Sequence, residues 1–157
     1  MDKTVLTVEG ERQLRERLKH LKEVERPKNV QEIAEARAHG DLSENAEYHA
    51  AKERQGMLEA QTRDIEAKLS NCEVIDPKKL SGDRVVFGAT VVLANVETDE
   101  QVRYQIVGMD EADPGKGKIN YTSPVARGLM GKRVGDSVQV RTPGGVREYE
   151  ILEVLFA

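Results

Sequence analysis

Two carboxylates, Asp41 and Glu44, stand three positions apart where one long helical pattern stops and a second begins. At that spacing they can converge on one hard cation such as magnesium, which takes few protein ligands and completes its octahedron with water and substrate phosphate. Two acids alone make a weak site. If a partner already holds one metal at a phosphodiester, a second ion brought in on these acids completes a two-metal arrangement that activates water and stabilises the leaving oxygen. The same spacing also describes a helix cap, with Asp41 as N-cap and Glu44 as its capping-box partner, both favoured by the positive end of the helix dipole. The readings are compatible, because capping fixes the carboxylates while a hairpin tip leaves their outer oxygens free.

Other polar residues crowd the same stretch. Arg37 and Lys52 lie on opposite arms near the tip, so a hairpin could bring them together against a phosphate backbone; solvated surface is the alternative. Tyr48 could stack on a base or fill the helical seam, and its heptad position favours the seam. His39 and His49 flank the tip but lack the dense spacing of a zinc or nickel cluster. No P-loop, G-x-G-x-x-G, G-x-S-x-G or H-E-x-x-H sequence occurs anywhere in the chain.

The elements that must carry these residues follow from periodicity. After Thr7, a candidate N-cap, Leu14, Leu18 and Leu21 recur at helical spacing, and the helical composition persists through Val30, Ile33, Ala34 and Ala38. Pro27 interrupts it and predicts a bend. From Tyr48 the pattern Ala51, Gln55, Leu58, Thr62, Ile65, Leu69, Cys72 is a coiled-coil seam. Two helices joined at Gly40, the residue expected just past a helix C-terminus, make an antiparallel hairpin whose arms of some 30 residues reach about 45 Å. Alanines and Tyr48 replace leucines toward the tip, which predicts a slim, charged end suited to a narrow opening.

At Asp76-Pro77 the period changes, which places the domain boundary between 74 and 80 and two domains at 1–75 and 76–157, the acidic tip occupying 40–44. Strands are predicted at Arg84–Phe87, Thr90–Ala94, Val102–Val107, Ile119–Tyr121, Ser137–Arg141 and Tyr149–Leu155, with turns at Asp113-Pro114-Gly115 and Pro143-Gly144-Gly145. Ser123-Pro124 opens one short helix through Leu129. The fold class is α+β: an N-terminal antiparallel coiled-coil hairpin, then a small, mostly antiparallel β domain with one short helix.

With only 4% aromatic residues among 157, core material is lean, so an elongated shape is expected. The net charge of −4 rules out a general polyanion-binding field. Both halves are near neutral, 13 basic and 16 acidic residues over 1–75 against 11 and 12 over 76–157. A single cysteine, Cys72, excludes an intramolecular disulfide and an ordinary cysteine zinc site, which suits a reducing cytosol. No secretory pattern opens the chain and no apolar run would span a bilayer.

The stretch Gly40-Asp41-Leu42-Ser43-Glu44-Asn45-Ala46-Glu47-Tyr48 resembles the hallmark of the bacterial Gre transcript cleavage and elongation factors, the GreA type in particular. Residues 121–136, 82–91 and the ending Tyr149-Glu150-Ile151-Leu152-Glu153-Val154 resemble the family's C-terminal signatures, so the likeness covers essentially the whole chain. The resemblance implies a hairpin that enters the secondary channel of bacterial RNA polymerase and an FKBP-like C-terminal domain that docks at the outer rim. It implies that Asp41 and Glu44 assist the polymerase's own cleavage of the backtracked RNA 3′ end, holding a second Mg2+ shared with the polymerase and not tightly bound by the free protein. Arg37 and Lys52 are implied to contact the extruded RNA, with Gly40, Ser43, Asn45 and Tyr48 supporting the tip. The protein would then be no enzyme itself, a cytoplasmic monomer without membrane contact, touching DNA only within the elongation complex. The alternative is a secondary-channel regulator or inhibitor without cleavage-stimulating activity. Position 52 is Lys where such a patch also carries Arg, and Gly128 stands where the signature often has Ala. A point charge in place of a planar fork alters RNA contact.

Overall fold

The computed structural model describes residues 3–40 and 45–156, the side chain of Thr142 apart. In chain order the elements are β1 (Thr4–Thr7), α1 (Val8–His20), a π-helical turn (Leu21–Glu25), α2 (Arg26–Ala38), α3 (Ala46–Ser70), β2 (Cys72–Ile75), β3 (Thr90–Asn95), β4 (Gln101–Val107), β5 (Lys118–Asn120), α4 (Pro124–Leu129), β6 (Ser137–Thr142) and β7 (Gly145–Leu155), with short 3-10 turns at Pro77–Lys79 and Pro114–Lys116. The fold is α+β. Two compact units divide the chain, Met1–Thr4 with Glu11–Cys72, and Val5–Gly10 with Glu73–Ala157.

In the first unit α3 is a single helix whose buried or half-buried face between Ala46 and Ala67 is Tyr48, Ala51, Gln55, Leu58, Thr62 and Ile65, the positions the heptad pattern marks. Contacts to the other arm run antiparallel: Asn45 reaches Ala36, Asn29 reaches Ala51, Arg54 meets Glu25 at 2.6 Å and Arg17 meets Gln61. The first arm departs from expectation. Val30 is 55% exposed, Ala34 and Ala38 are exposed, and the seam passes through Leu21, Asn29, Ile33 and Ala36. The π turn explains the shift. Pro27 has no N–H to donate and its ring crowds the carbonyl four residues back. The chain widens just before it, Arg26 N–H donating to the Leu21 carbonyl five residues earlier, and the wider turn moves the seam around the helix.

Asn29 is thereby buried, its amide donating to the Ala51 carbonyl at 2.9 Å. Beside the π turn, Glu25 accepts from Arg54 on α3 and meets His20 Nε2 at 3.0 Å. The hydrogen bond with His20 outweighs the opposing cost of desolvation and, with a further contribution from the nearby Arg54 charge, holds its carboxyl below the ordinary value of 4.5.

In the second unit β1 and β2 form a two-stranded sheet and the rest form a five-stranded sheet in the order β5-β4-β3-β7-β6. Within the five-stranded sheet all neighbours are antiparallel except β4 and β5. Val91, Leu93, Ile106, Val138, Val140 and Ile151 supply the sheet's side of the core, and Ala126 and Leu129 of α4 close it. Ser123 caps α4 as its type predicts, accepting from Ala126 N at 3.3 Å. Arg84–Phe87 is not a strand. Arg84 makes one isolated bridge to Arg133, and Val85 exchanges hydrogen bonds with Gly131 and Lys132 across it, too few pairs to extend a ladder. The strands β1 and β2 lie outside the predicted set because each is only four residues long and abuts a helix pattern.

The first turn of α1 is held in this unit by a capping box shared between distant parts of the chain. Thr7 Oγ1 accepts from Gly10 N at 3.1 Å, as an N-cap should. The carboxylate that an ordinary capping box places three residues after the cap comes instead from Glu111, which accepts from Thr7 N at 3.0 Å, from Thr7 Oγ1 and from Gly108 N at 3.2 Å. Position 10 must then be glycine. A Cβ there would sit 2.0 Å from Glu111 Cδ, and one at Gly108 would sit 2.3 Å from the Val5 carbonyl oxygen.

Gly10→Ala, which in an open helix gains about 1 kcal/mol, is expected to destabilise by roughly 1–3 kcal/mol because it displaces a hydrogen-bonded buried carboxylate. In a Glu111→Ala background the same change should become neutral or stabilising. Urea unfolding of the four proteins measures that reversal. Glu25 supplies a pH test. Because its folded pKa is lowered, its contribution is present above the ordinary carboxylate value and is lost as pH falls through the lowered one. The difference in thermal midpoint between the wild type and Glu25→Gln should therefore close on acidification below pH 4.5, and a constant difference would refute the pairing.

Candidate functional site at the hairpin tip

Helix α2 ends where sequence predicts. His39 N and Gly40 N donate back to the Ala36 and Arg37 carbonyls at 3.2 and 3.3 Å, and Gly40 adopts φ +108°, a conformation that favours glycine. Helix α3 starts later than predicted. Its N-cap is Asn45, whose Oδ1 accepts from Tyr48 N at 3.1 Å, so the cap lies four residues, about one turn, beyond the one expected at Asp41. Asp41, Ser43 and Glu44 lie outside the described residues.

Asn45 also does what a cap alone would not. Its Nδ2 donates to the Ala36 carbonyl at 2.7 Å, across the hairpin. One amide thus satisfies the first turn of α3 with its oxygen and a last-turn carbonyl of α2 with its nitrogen. The sequence marks Asn45 as a tip residue without revealing this brace, which depends on Ala36 facing it from nine residues away.

Tyr48 occupies the seam, half-buried, with its ring edge-on to His49 at 5.8 Å. The Arg37 guanidinium lies over the Tyr48 ring, 5.8 Å from its centroid, a cation–π contact between the two arms. Lys52, one turn beyond Tyr48 on α3, donates to Gln55 Oε1 at 2.8 Å. Tyr48 thus meets Arg37 across the hairpin and shares its helix face with Lys52. His39 Nδ1 meets Glu47 Oε2 at 3.2 Å, another link between the arms. Among the described residues no group of three or more His, Cys, Asp or Glu side chains is placed to hold a metal. The adjacent flank, lined by Glu32, Glu35, His39, Glu47 and Arg54 with alanines between, is predominantly acidic.

Residues 4–74 match the model of the "Transcription elongation factor, N-terminal" family and residues 80–156 that of "Transcription elongation factor, GreA/GreB, C-term". The chain belongs to the GreA/GreB family of transcription elongation factors. Transcription elongation factor GreA of Pseudomonas aeruginosa is 63% identical over 155 residues, and that of Phenylobacterium zucineum 58% over 154, each alignment covering 98% of both chains. That of Haemophilus influenzae is 55% identical over 155 residues with the same coverage. In this GreA/GreB family member the residues flanking the tip are therefore fixed by Gly40, Asn45 and the Arg37–Tyr48 contact.

Asp and Asn cap isolated helices about equally well, but only Asn can donate to Ala36. Asn45→Asp is expected to destabilise the hairpin by about 1–2 kcal/mol, since a carboxylate oxygen would face a carbonyl where a donor stood. Amide hydrogen exchange of residues 36–49 reads this directly, and unchanged protection would refute the brace.

Proposed function

We propose that this protein enters the secondary channel of bacterial RNA polymerase with its hairpin tip and stimulates the polymerase's own cleavage of a backtracked RNA 3′ end, rescuing arrested elongation complexes. The observation that carries this reading is full-length identity of 63% to a GreA transcription elongation factor, together with a tip sequence that retains both Asp41 and Glu44. The protein acts as an accessory factor and not as an enzyme in its own right, as a cytoplasmic monomer, and any DNA contact arises within the elongation complex. No helix among the described residues is long and apolar enough to cross a membrane.

Asp41 and Glu44 are hard oxygen donors of the kind magnesium prefers, and a pair of them leaves most of an octahedron to water, phosphate and polymerase. They would hold the second Mg2+ only in the complex. The ion supplies water activation and charge stabilisation at the phosphodiester. The chain's own residues present the acids and receive the RNA. Gly40 and Asn45 set the ends of the two helices, and the acids lie between them in sequence. Arg37, carried over Tyr48, and Lys52 offer cations to the extruded RNA backbone.

In a backtracked elongation complex with cognate polymerase and magnesium, the intact protein is expected to accelerate release of short 3′ fragments. Asp41→Asn/Glu44→Gln should abolish that acceleration while still binding polymerase. If the intact protein also fails to accelerate cleavage while binding, it is a channel regulator and this reading falls.

A further inference from the structure

The outer face of the C-terminal sheet gathers cations at its β4–β5 edge. Gln105 pairs in register with Thr90 on β3 and with Lys118 on β5, so the three make one row across the strands. Arg103, two residues along β4, shares that face. Lys116 and Gly117 close the row from the preceding turn. These six residues line a groove of about 370 Å³ that contains three cations and no carboxylate.

This clustering is local, since residues 76–157 carry 11 basic and 12 acidic side chains. Arg103 and Lys118 have no ion-pair partner among the described residues, and the carboxylate that meets Lys116 is Asp113, at 4.0 Å with both side chains largely exposed. Gly117, at φ +73°, brings backbone against backbone. A Cβ there would lie 2.7 Å from the Arg103 carbonyl oxygen, so the groove's floor admits no side chain. No aromatic residue lines the groove, so it has no platform on which a base could stack. The Gln105 amide is directed to the Gly88 carbonyl at 3.4 Å, away from base-edge recognition.

Strand geometry places Lys118 about 5 Å across from Gln105, and Arg103 about 7 Å along from it. Spacings of that order let each of the three cations meet its own phosphate along a strand laid in the groove. The geometry points to this groove as a phosphate site that grips the backbone of a nucleic-acid strand without reading its bases. The site is separate from the hairpin tip and stands whether or not the tip promotes cleavage.

The test is a titration of the full-length, nitrogen-15-labelled protein with an oligouridylate of about eight nucleotides, followed by amide resonances, with inorganic pyrophosphate as a second probe. The oligonucleotide should move the resonances of Thr90, Arg103, Gln105 and residues 116–118. With about three phosphates engaged, affinity should weaken roughly twentyfold between about 50 and 200 mM salt. Arg103→Ala/Lys118→Ala should abolish the groove shifts while resonances elsewhere confirm an intact fold. Silence of the groove toward the oligonucleotide, a response to pyrophosphate alone, or shifts that survive the double substitution would each overturn the proposal.

Discussion

A buried carboxylate that receives three hydrogen bonds is the constraint around which the start of this chain is arranged. Glu111 has no cation against it among the described residues. Its charge is met by the Thr7 and Gly108 amides and the Thr7 hydroxyl, which also place it at the positive end of α1. An unsatisfied carboxylate in such a position would be costly, so each donor must keep its place. Three features follow. Gly10 has to lack a side chain, Gly108 has to let the Val5 carbonyl approach, and Val5–Gly10 belongs to the C-terminal unit although it opens the sequence.

The hairpin is specified by a different balance. Leu21, Leu58 and Ile65, with Leu14, Leu18 and Leu69 packed against them, supply apolar burial at one end of its seam, while Asn29, Ala36 and Ala51 occupy the stretch nearer the tip. A buried Asn costs stability in a seam but fixes register, because only one alignment gives its amide a partner. Asn29 has that partner in Ala51, and the smallness of Ala51 leaves room for it. The π turn belongs to the same arrangement. Without the residue it adds, Val30 and Ala34 would have faced the seam and Asn29 would not.

Much of this was legible in the sequence, for reasons that can be named. The α3 seam was readable because seven successive positions from Tyr48 to Leu69 keep one period and no glycine or proline that breaks it intervenes; Cys72, the eighth predicted, falls instead in β2, where the helix has already ended. Thr7, Ser123 and Gly40 were readable because capping and left-handed backbone restrict residue type. What was not legible depends on distance. Nothing near Gly10 announces Glu111, which lies 101 positions further on, and the brace from Asn45 to Ala36 needs the hairpin to be folded before it exists. The first arm misled for a local reason: Pro27 signals a bend, but the wider turn that answers it changes which residues face inward. Arg84–Phe87 had strand composition and only one bridge partner. At the tip itself, the Asp41 and Glu44 spacing matched a capping box so well that it drew the helix start away from Asn45.

That displacement of the cap bears on what the acids are free to do. A carboxylate committed to an N-cap has one oxygen occupied by backbone amides and its orientation fixed by the helix it starts. Asn45 takes over that task for α3 with a neutral amide, which cannot serve magnesium as a carboxylate does. It also ties the ends of α2 and α3 together without apolar bulk, so the arms can remain slim where leucines are absent. Stiffness at this end comes from hydrogen bonds made within the hairpin, the start of α3 being capped by the Asn45 amide and tied through it to Ala36.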